Sequence, residues 1–305
     1  MQILNAEQTA QALPYAQLVP AVAQAARELA QQQIQAPERL VVPMAEGGVL
    51  LAMPAVAHDI SVTKLVTVHP RNAEHGLPAI QGEVVVMDTA TGRRLALLDG
   101  PTVTARRTAA VTLLGIQTLA AQKPASALLI GTGAQAAAHA DALVEHLGIA
   151  QFWVAGRNLG AAQTFCAALQ MRHPQIHTVA MLVDDLAHAL PTTDLVLALT
   201  TSRTPVIPAH IAAHTLAIGV GAFKPDMAEF PPALLHSRQI VVDDLGGARH
   251  EAGDLLQAGV NWARVRSLAS VLATPLPLSA LAPVFKTVGQ AAWDLAAARV
   301  AIASL

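Results

Sequence analysis

Apolar positions along this chain change texture three times. Over residues 1–36 they recur at helical spacing, and Tyr15-Ala-Gln-Leu-Val-Pro-Ala-Val-Ala-Gln-Ala-Ala-Arg-Glu-Leu-Ala30 predicts a helix that Pro37 closes. From Arg39 to Leu98 they gather in short β-type runs: Leu40–Val42, Gly48–Met53, Ile60–Val68 and Glu83–Met87, with Gly47-Gly48 and Thr91-Gly92 as turns. Pro101 to Gly115 reads as a connecting helix. From about residue 125 to 245 strand and helix patterns alternate, with strands expected at 127–130, 151–155, 176–180, 194–200, 215–220 and 239–242. A last helix is expected over Val284–Ile302, packing on the first unit. The alternation predicts a doubly wound parallel sheet.

One junction in that alternation carries chemistry. The run Ala127-Leu-Leu-Ile130 enters Gly131-Thr-Gly133-Ala-Gln-Ala136, and an alanine-rich helical stretch follows. Strand, G-x-G-x-x-A turn, then helix is the geometry that cradles a dinucleotide pyrophosphate. Gly131 permits the tight turn, Gly133 lets the backbone approach the phosphates, and Ala136 lets the helix pack closely. The helix N-terminus supplies N–H donors and a positive dipole end. The plain alternative is a β–α turn that binds nothing.

The end of the next strand selects the dinucleotide. An NAD site places Asp or Glu there to accept from the ribose 2′-hydroxyl. Here Gln151-Phe-Trp-Val-Ala155 runs into Gly156-Arg157-Asn158. Arg157 can pair with a 2′-phosphate and Asn158 can donate to it, so NADP(H) is favoured over NAD(H). Thr200-Thr201-Ser202 and Gly219-Val-Gly221 end later strands and are expected on the cofactor. For the glycines, a simple tight turn serves equally well.

Composition narrows the rest. With 305 residues the chain suits two domains; 53% of residues are hydrophobic and 13% charged. No apolar run reaches the ~18 residues of a membrane helix, and the start has no basic segment leading an apolar core. A cytoplasmic protein is expected. A net charge of −2 with 3% aromatic residues argues against nucleic acid. The single cysteine, Cys166, reads as a buried inert thiol. The 12 histidines include no H-E-x-x-H motif and the chain has no second cysteine, so no metal is expected.

Several separated motifs together are distinctive. They are Arg39; Met53-Pro54; Lys64-Leu-Val-Thr-Val-His-Pro70-x-Asn72 with Gly76-x-Pro78; Thr91-Gly92; Arg107-Thr-Ala-Ala110; Gly131-Thr-Gly-Ala-Gln135; Gly221-Ala-Phe-Lys-Pro225; Glu251-Ala-Gly253; and Phe285-Lys-Thr-Val-Gly289. On these the chain resembles the ornithine cyclodeaminase/μ-crystallin family over nearly its whole length. The resemblance implies an α/β fold: a Rossmann-type doubly wound parallel sheet, residues 114–275, inserted into an α+β substrate and dimerisation domain of residues 1–113 plus 276–305. It implies a homodimer, and adds Thr108, Ala134 and Gln135 to the cofactor contacts.

The resemblance also implies that Arg39, Lys64 and Arg107 converge on a substrate carboxylate, with Lys64 and Arg107 catalytic. Arginine's planar fork matches a carboxylate and lysine adds a point charge. Lys64, among Val62, Leu65 and Val66, is the least comfortable as a bland residue. With its pKa lowered by neighbouring cations it could deliver a proton; solution is the other source. For His69, acid–base chemistry competes with a structural role.

Two departures bear on the reaction. The cyclodeaminase branch carries Asp two residues before the proline of Gly-x-x-x-Pro, and Glu two residues before Met-Pro. This chain has Phe223 and Leu51 there. The expectation is therefore NADPH-dependent reduction of a cyclic ketimine carboxylate, Δ1-pyrroline-2-carboxylate or Δ1-piperideine-2-carboxylate, with Phe223 shaping the pocket. An ornithine or lysine cyclodeaminase, an alanine dehydrogenase-like enzyme and a non-enzymatic NADPH or small-ligand binder are the alternatives.

Overall fold

Residues 2–99 build one mixed sheet and residues 126–286 build a second, wholly parallel one. The computed structural model describes the backbone of residues 1–305 and every side chain except that of Ala73. The chain divides into two units, Met1–Ala110 with Gln290–Leu305, and Val111–Gly289. The α/β class with an inserted parallel sheet is as expected. The later boundary is not: residues 276–289 lie in the second unit.

In chain order the first unit contains β1 (Gln2–Leu4), α1 (Ala6–Gln11), α2 (Tyr15–Ala30), β2 (Leu40–Pro43), β3 (Val49–Val56), β4 (Ile60–Val68), β5 (Ile80–Asp88), β6 (Arg94–Asp99) and the start of α3 (Gly100–Leu119). Its sheet has the order β1-β6-β5-β4-β3-β2, antiparallel except where β1 joins β6. The helical reading of the first residues fails at 2–4. Asn5 caps α1 reciprocally with Gln8, at 2.9 and 3.0 Å, which fixes the helix start and leaves the preceding residues to pair with β6.

The second unit contains β7 (Ser126–Ile130), α4 (Ala134–Ala142), β8 (Gln151–Gly156), α5 (Leu159–Arg172), β9 (His177–Leu182), β10 (Leu195–Ala198), β11 (Leu216–Gly219), α6 (Pro232–Ser237), β12 (Ile240–Val242), α7 (Leu245–Glu251), α8 (Gly253–Gln257), β13 (Arg266–Ser267), α9 (Leu268–Ala273) and β14 (Val284–Lys286). The order is β13-β12-β14-β11-β10-β7-β8-β9. The chain leaves β7 toward β8 on one side and later returns to β10 on the other, so strand order reverses at β7. Ligands of such sheets lie at the carboxyl ends of the strands beside that reversal. The expected helix over 284–302 is two elements. Val284-Phe285-Lys286 is a strand buried between β11 and β12, and Gly289, at φ +83°, breaks the chain before the helix α10 (Ala291–Ala303), which Gln290 caps.

Within the first unit α10 packs on β3, β4, β5 and α2. Arg299 pins it there. Its guanidinium is bidentate to Asp59, 2.8 Å on each arm, and 2.6 Å from Glu28 of α2. Among the described residues no helix is long and apolar enough to cross a membrane.

Candidate active site

Strand β4 alternates, and its buried face carries Ile60, Val62 and Val66 together with Lys64. Leu65, on the other face, is 45% exposed. An ammonium on the apolar face of a sheet must be paired or lose its charge. Lys64 is 2% exposed, and its Nζ lies 2.9 and 3.1 Å from the two carboxylate oxygens of Asp294 on α10. Arg107 of α3, also buried, donates Nε–H to Asp294 Oδ1 at 3.0 Å. Asp294 has no exposed surface. Arg39, at the entrance to β2, is close enough that its charge acts on Lys64.

Burial, with the positive field of Arg107 and, less strongly, Arg39, lowers the Lys64 ammonium to about 7; Asp294 opposes the fall. Two buried cations thus share one carboxylate, an excess of one positive charge when Lys64 is protonated. The pKa near neutrality lets Lys64 hold or release a proton at working pH, which neither guanidinium can do. For a reaction that needs protonated Lys64, kcat/KM should fall as pH rises through about 7. Because Asp294 holds that pKa up, Asp294→Asn should move the falling limb to lower pH. A limb at the same pH in both proteins would mean that another group titrates.

Met53 of β3 pairs directly with Lys64, and Leu51 pairs with Val66. Leu51 is therefore on the Lys64 side of the sheet, buried, where a carboxylate would have faced the cluster. His69 follows β4 with its ring against Gly48, where a Cβ would lie 2.6 Å from it. Thr108 is buried in α3 and its hydroxyl bonds back to the Thr104 carbonyl at 2.6 Å.

In the second unit the Gly131 turn lies at the strand-order reversal. Gly131 has φ +119°, and a Cβ there would sit 2.6 Å from the Leu199 carbonyl oxygen, so only glycine fits. Gly133 caps α4 with no side-chain bond, and a Cβ there would meet open space. The first-turn N–H groups of α4, from Ala134 onward, thus lack a side-chain cap. The buried Gln135 Oε1 has no hydrogen-bond partner. Behind the turn, buried His139 holds the Gln135 carbonyl (Nδ1, 2.8 Å) and the Thr112 hydroxyl (Nε2, 2.9 Å); burial lowers it to about 4, so the ring is neutral. This donor set fits a dinucleotide pyrophosphate.

Arg157 and Asn158 follow β8, both exposed; Asn158 Oδ1 caps α5 through Ala161 N at 3.1 Å. Thr200, Thr201 and Ser202 follow β10. Gly221 follows β11 so closely against Thr200 that a Cβ would overlap the Thr200 carbonyl oxygen. Phe223 is half-buried in the second unit, with Lys224 Nζ 5.8 Å from its ring centre. Among the described residues no three His, Cys, Asp or Glu side chains gather as a metal would require.

Sequence reasoning missed Asp294 and, in the second unit, Glu229. Glu229 is fully buried; it accepts from Thr200 and from Gly221 and Ala222. A signal for Asp294 existed. It is one of two charges in an otherwise apolar helix, five residues from Arg299, a spacing that does not place the two side by side.

The model of the ornithine cyclodeaminase/mu-crystallin family matches residues 1–304. Delta(1)-pyrroline-2-carboxylate reductase 2 of Burkholderia ambifaria is 49% identical over 298 residues, 97% of this chain and 94% of that protein. The Delta(1)-pyrroline-2-carboxylate/Delta(1)-piperideine-2-carboxylate reductase of Azospirillum brasilense is 47% identical over 299 residues, 98% of this chain and 94% of its own length. Among solved structures, the Thermococcus litoralis Delta(1)-pyrroline-2-carboxylate reductase in complex with NADH and L-proline superposes with a TM-score of 0.89 at 25% identity, covering 99% of this chain and 97% of that one.

Proposed function

The chain belongs to the ornithine cyclodeaminase/mu-crystallin family, and on that premise we propose that it is an oxidoreductase that reduces the C=N bond of a cyclic ketimine carboxylate with a nicotinamide dinucleotide, NADPH in preference to NADH. The substrates are Δ1-pyrroline-2-carboxylate and Δ1-piperideine-2-carboxylate, and the products L-proline and L-pipecolate. The observation that carries the reading is the buried pair Lys64 and Arg107 on the single carboxylate of Asp294, with the charge of Arg39 acting on Lys64. A substrate carboxylate would balance the positive charge that Lys64 and Arg107 carry in excess of Asp294.

Arg39, Lys64 and Arg107 take the carboxylate and fix the ring's orientation. Asp294 holds the Lys64 ammonium and the Arg107 Nε–H, so both cations are set before substrate arrives. Lys64 keeps a proton on Nζ near neutrality and delivers it to the ring nitrogen. The dinucleotide, when bound, supplies the hydride that the imine carbon receives. Gly131, Gly133, Ala134 and Gln135 would hold its pyrophosphate, Arg157 and Asn158 its adenosine ribose, and Thr200–Ser202 with Gly221 its nicotinamide end.

Cyclodeamination is disfavoured by Leu51. A diamine's second ammonium would meet a buried leucine on the Lys64 face of the sheet, and its desolvation would go uncompensated. Phe223 in place of the branch's Asp points the same way. Incubation with NADPH and each ketimine should give L-proline or L-pipecolate with equal loss of NADPH. Ammonia from L-ornithine at constant NADPH, with neither ketimine turned over, would establish the cyclodeaminase instead.

The preference for NADPH rests on Arg157 and on the lack of a carboxylate in Gly156-Arg157-Asn158. Arg157→Ala should raise KM for NADPH about tenfold, on the order of 1.4 kcal/mol, and leave KM for NADH nearly unchanged. Equal effects on both cofactors would remove Arg157 from the 2′-phosphate. A homodimer is likewise our proposal, and sedimentation at two protein concentrations tests it.

A further inference from the structure

We propose that Glu229 is a positioning residue for the nicotinamide end of the dinucleotide: its carboxylate ties the turns after β10 and β11 together at a set spacing, and Lys286 and Asp254 hold it in register. The proposal rests on the dinucleotide reading above. Ligands of such sheets lie at the carboxyl ends of neighbouring strands, and β10 and β11 are a parallel pair. Glu229 Oε1 accepts from Thr200 N at 2.8 Å and Thr200 Oγ1 at 3.2 Å. Its Oε2 accepts from Gly221 N at 2.9 Å and Ala222 N at 3.1 Å. Each oxygen serves a different turn, so the side chain is a bridge between them.

The chemistry demands a carboxylate. Three N–H groups and a hydroxyl point at Glu229, and only a side chain with two acceptor oxygens satisfies both turns. A carboxamide would face one pair of donors with its own NH2. Burying the charge is costly, and the fold answers with Lys286 from β14, whose Nζ lies 3.5 Å from Glu229 Oε2 and 3.7 Å from Asp254 Oδ2. That Nζ makes no hydrogen bond, so the contact is charge on charge. Asp254 Oδ2 also takes the Glu229 backbone N–H at 3.4 Å. Glu229, Lys286 and Asp254 are almost wholly buried, and the ion pairs of Lys286 are with the two carboxylates. What they fix is the distance between Thr200 and Gly221, the two backbone segments packed too closely for a Cβ.

Glu229→Gln tests this. Two ligands are titrated by fluorescence: NADPH, and 2′-phospho-ADP-ribose, which lacks the nicotinamide (NADH and ADP-ribose form the pair if the protein prefers NADH). The variant should bind 2′-phospho-ADP-ribose within about twofold of wild type, lose most of the extra affinity that the nicotinamide half confers, and lose about 10²-fold in kcat, the cost of a misplacement of about 1 Å. A folded variant with the wild-type affinity ratio and kcat overturns the proposal. If the variant does not fold, hydrogen exchange on the wild type decides. The amides of Thr200, Gly221 and Ala222 should be protected before any ligand is added; fast exchange there overturns the proposal. A wild type that binds neither ligand sinks the dinucleotide reading, and the proposal with it, which is a different result from an unchanged ratio.

Discussion

Lys64→Met should lower kcat/KM for Δ1-pyrroline-2-carboxylate about 10³-fold while NADPH still binds. Two losses combine. The substrate carboxylate loses a charge-assisted contact worth about 1.5–3 kcal/mol, and the ring nitrogen loses a proton donor of a kind worth about 10²–10⁴ in rate. Methionine fills the same apolar slot between Met53 and Val84 on the neighbouring strands. Asp294 keeps its bond to Arg107, so the fold should survive. A variant with wild-type kcat/KM would remove Lys64 from the chemistry and leave it a buried structural cation.

The second large effect is on stability. Asp294→Ala leaves Lys64 and Arg107 buried side by side with no carboxylate between them. Removing one partner of a buried ion pair costs about 3–5 kcal/mol, which lowers the melting temperature by on the order of 10 °C. Lys64 escapes part of the penalty by losing its proton; Arg107 cannot. L-Proline or another small carboxylate should recover more melting temperature in this variant than in wild type, because it replaces the lost anion. A melting temperature unchanged by the substitution would show that the cluster is not held by Asp294.

The glycine turn and the cationic cluster were legible in sequence for different reasons. Gly131 is readable because strand, turn and helix are contiguous. Lys64 and Arg107 are readable because a charge in an apolar run is an anomaly that the family pattern then explains. Asp294 was hidden because its partners lie 230 and 187 residues away along the chain, and no local spacing points to them. Reading 284–302 as one helix hid it further. A three-residue strand and the start of an apolar helix look alike by periodicity, and only the burial of Val284–Lys286 between β11 and β12 separates them. Glu229 was invisible for a third reason. Most of its donors are backbone N–H groups, which every residue but proline carries.

We propose that a hydride reaches the ring carbon of a cyclic ketimine carboxylate held by Arg39, Lys64 and Arg107. The most direct test of this transfer is isotopic. NADPH carrying deuterium at one or the other C4 position is supplied with Δ1-pyrroline-2-carboxylate, and the proline formed is read by mass spectrometry and NMR. One of the two labelled cofactors should give L-proline with a single deuterium at C2. Unlabelled proline from both, or no proline with ammonia released from L-ornithine, would rule out this hydride transfer.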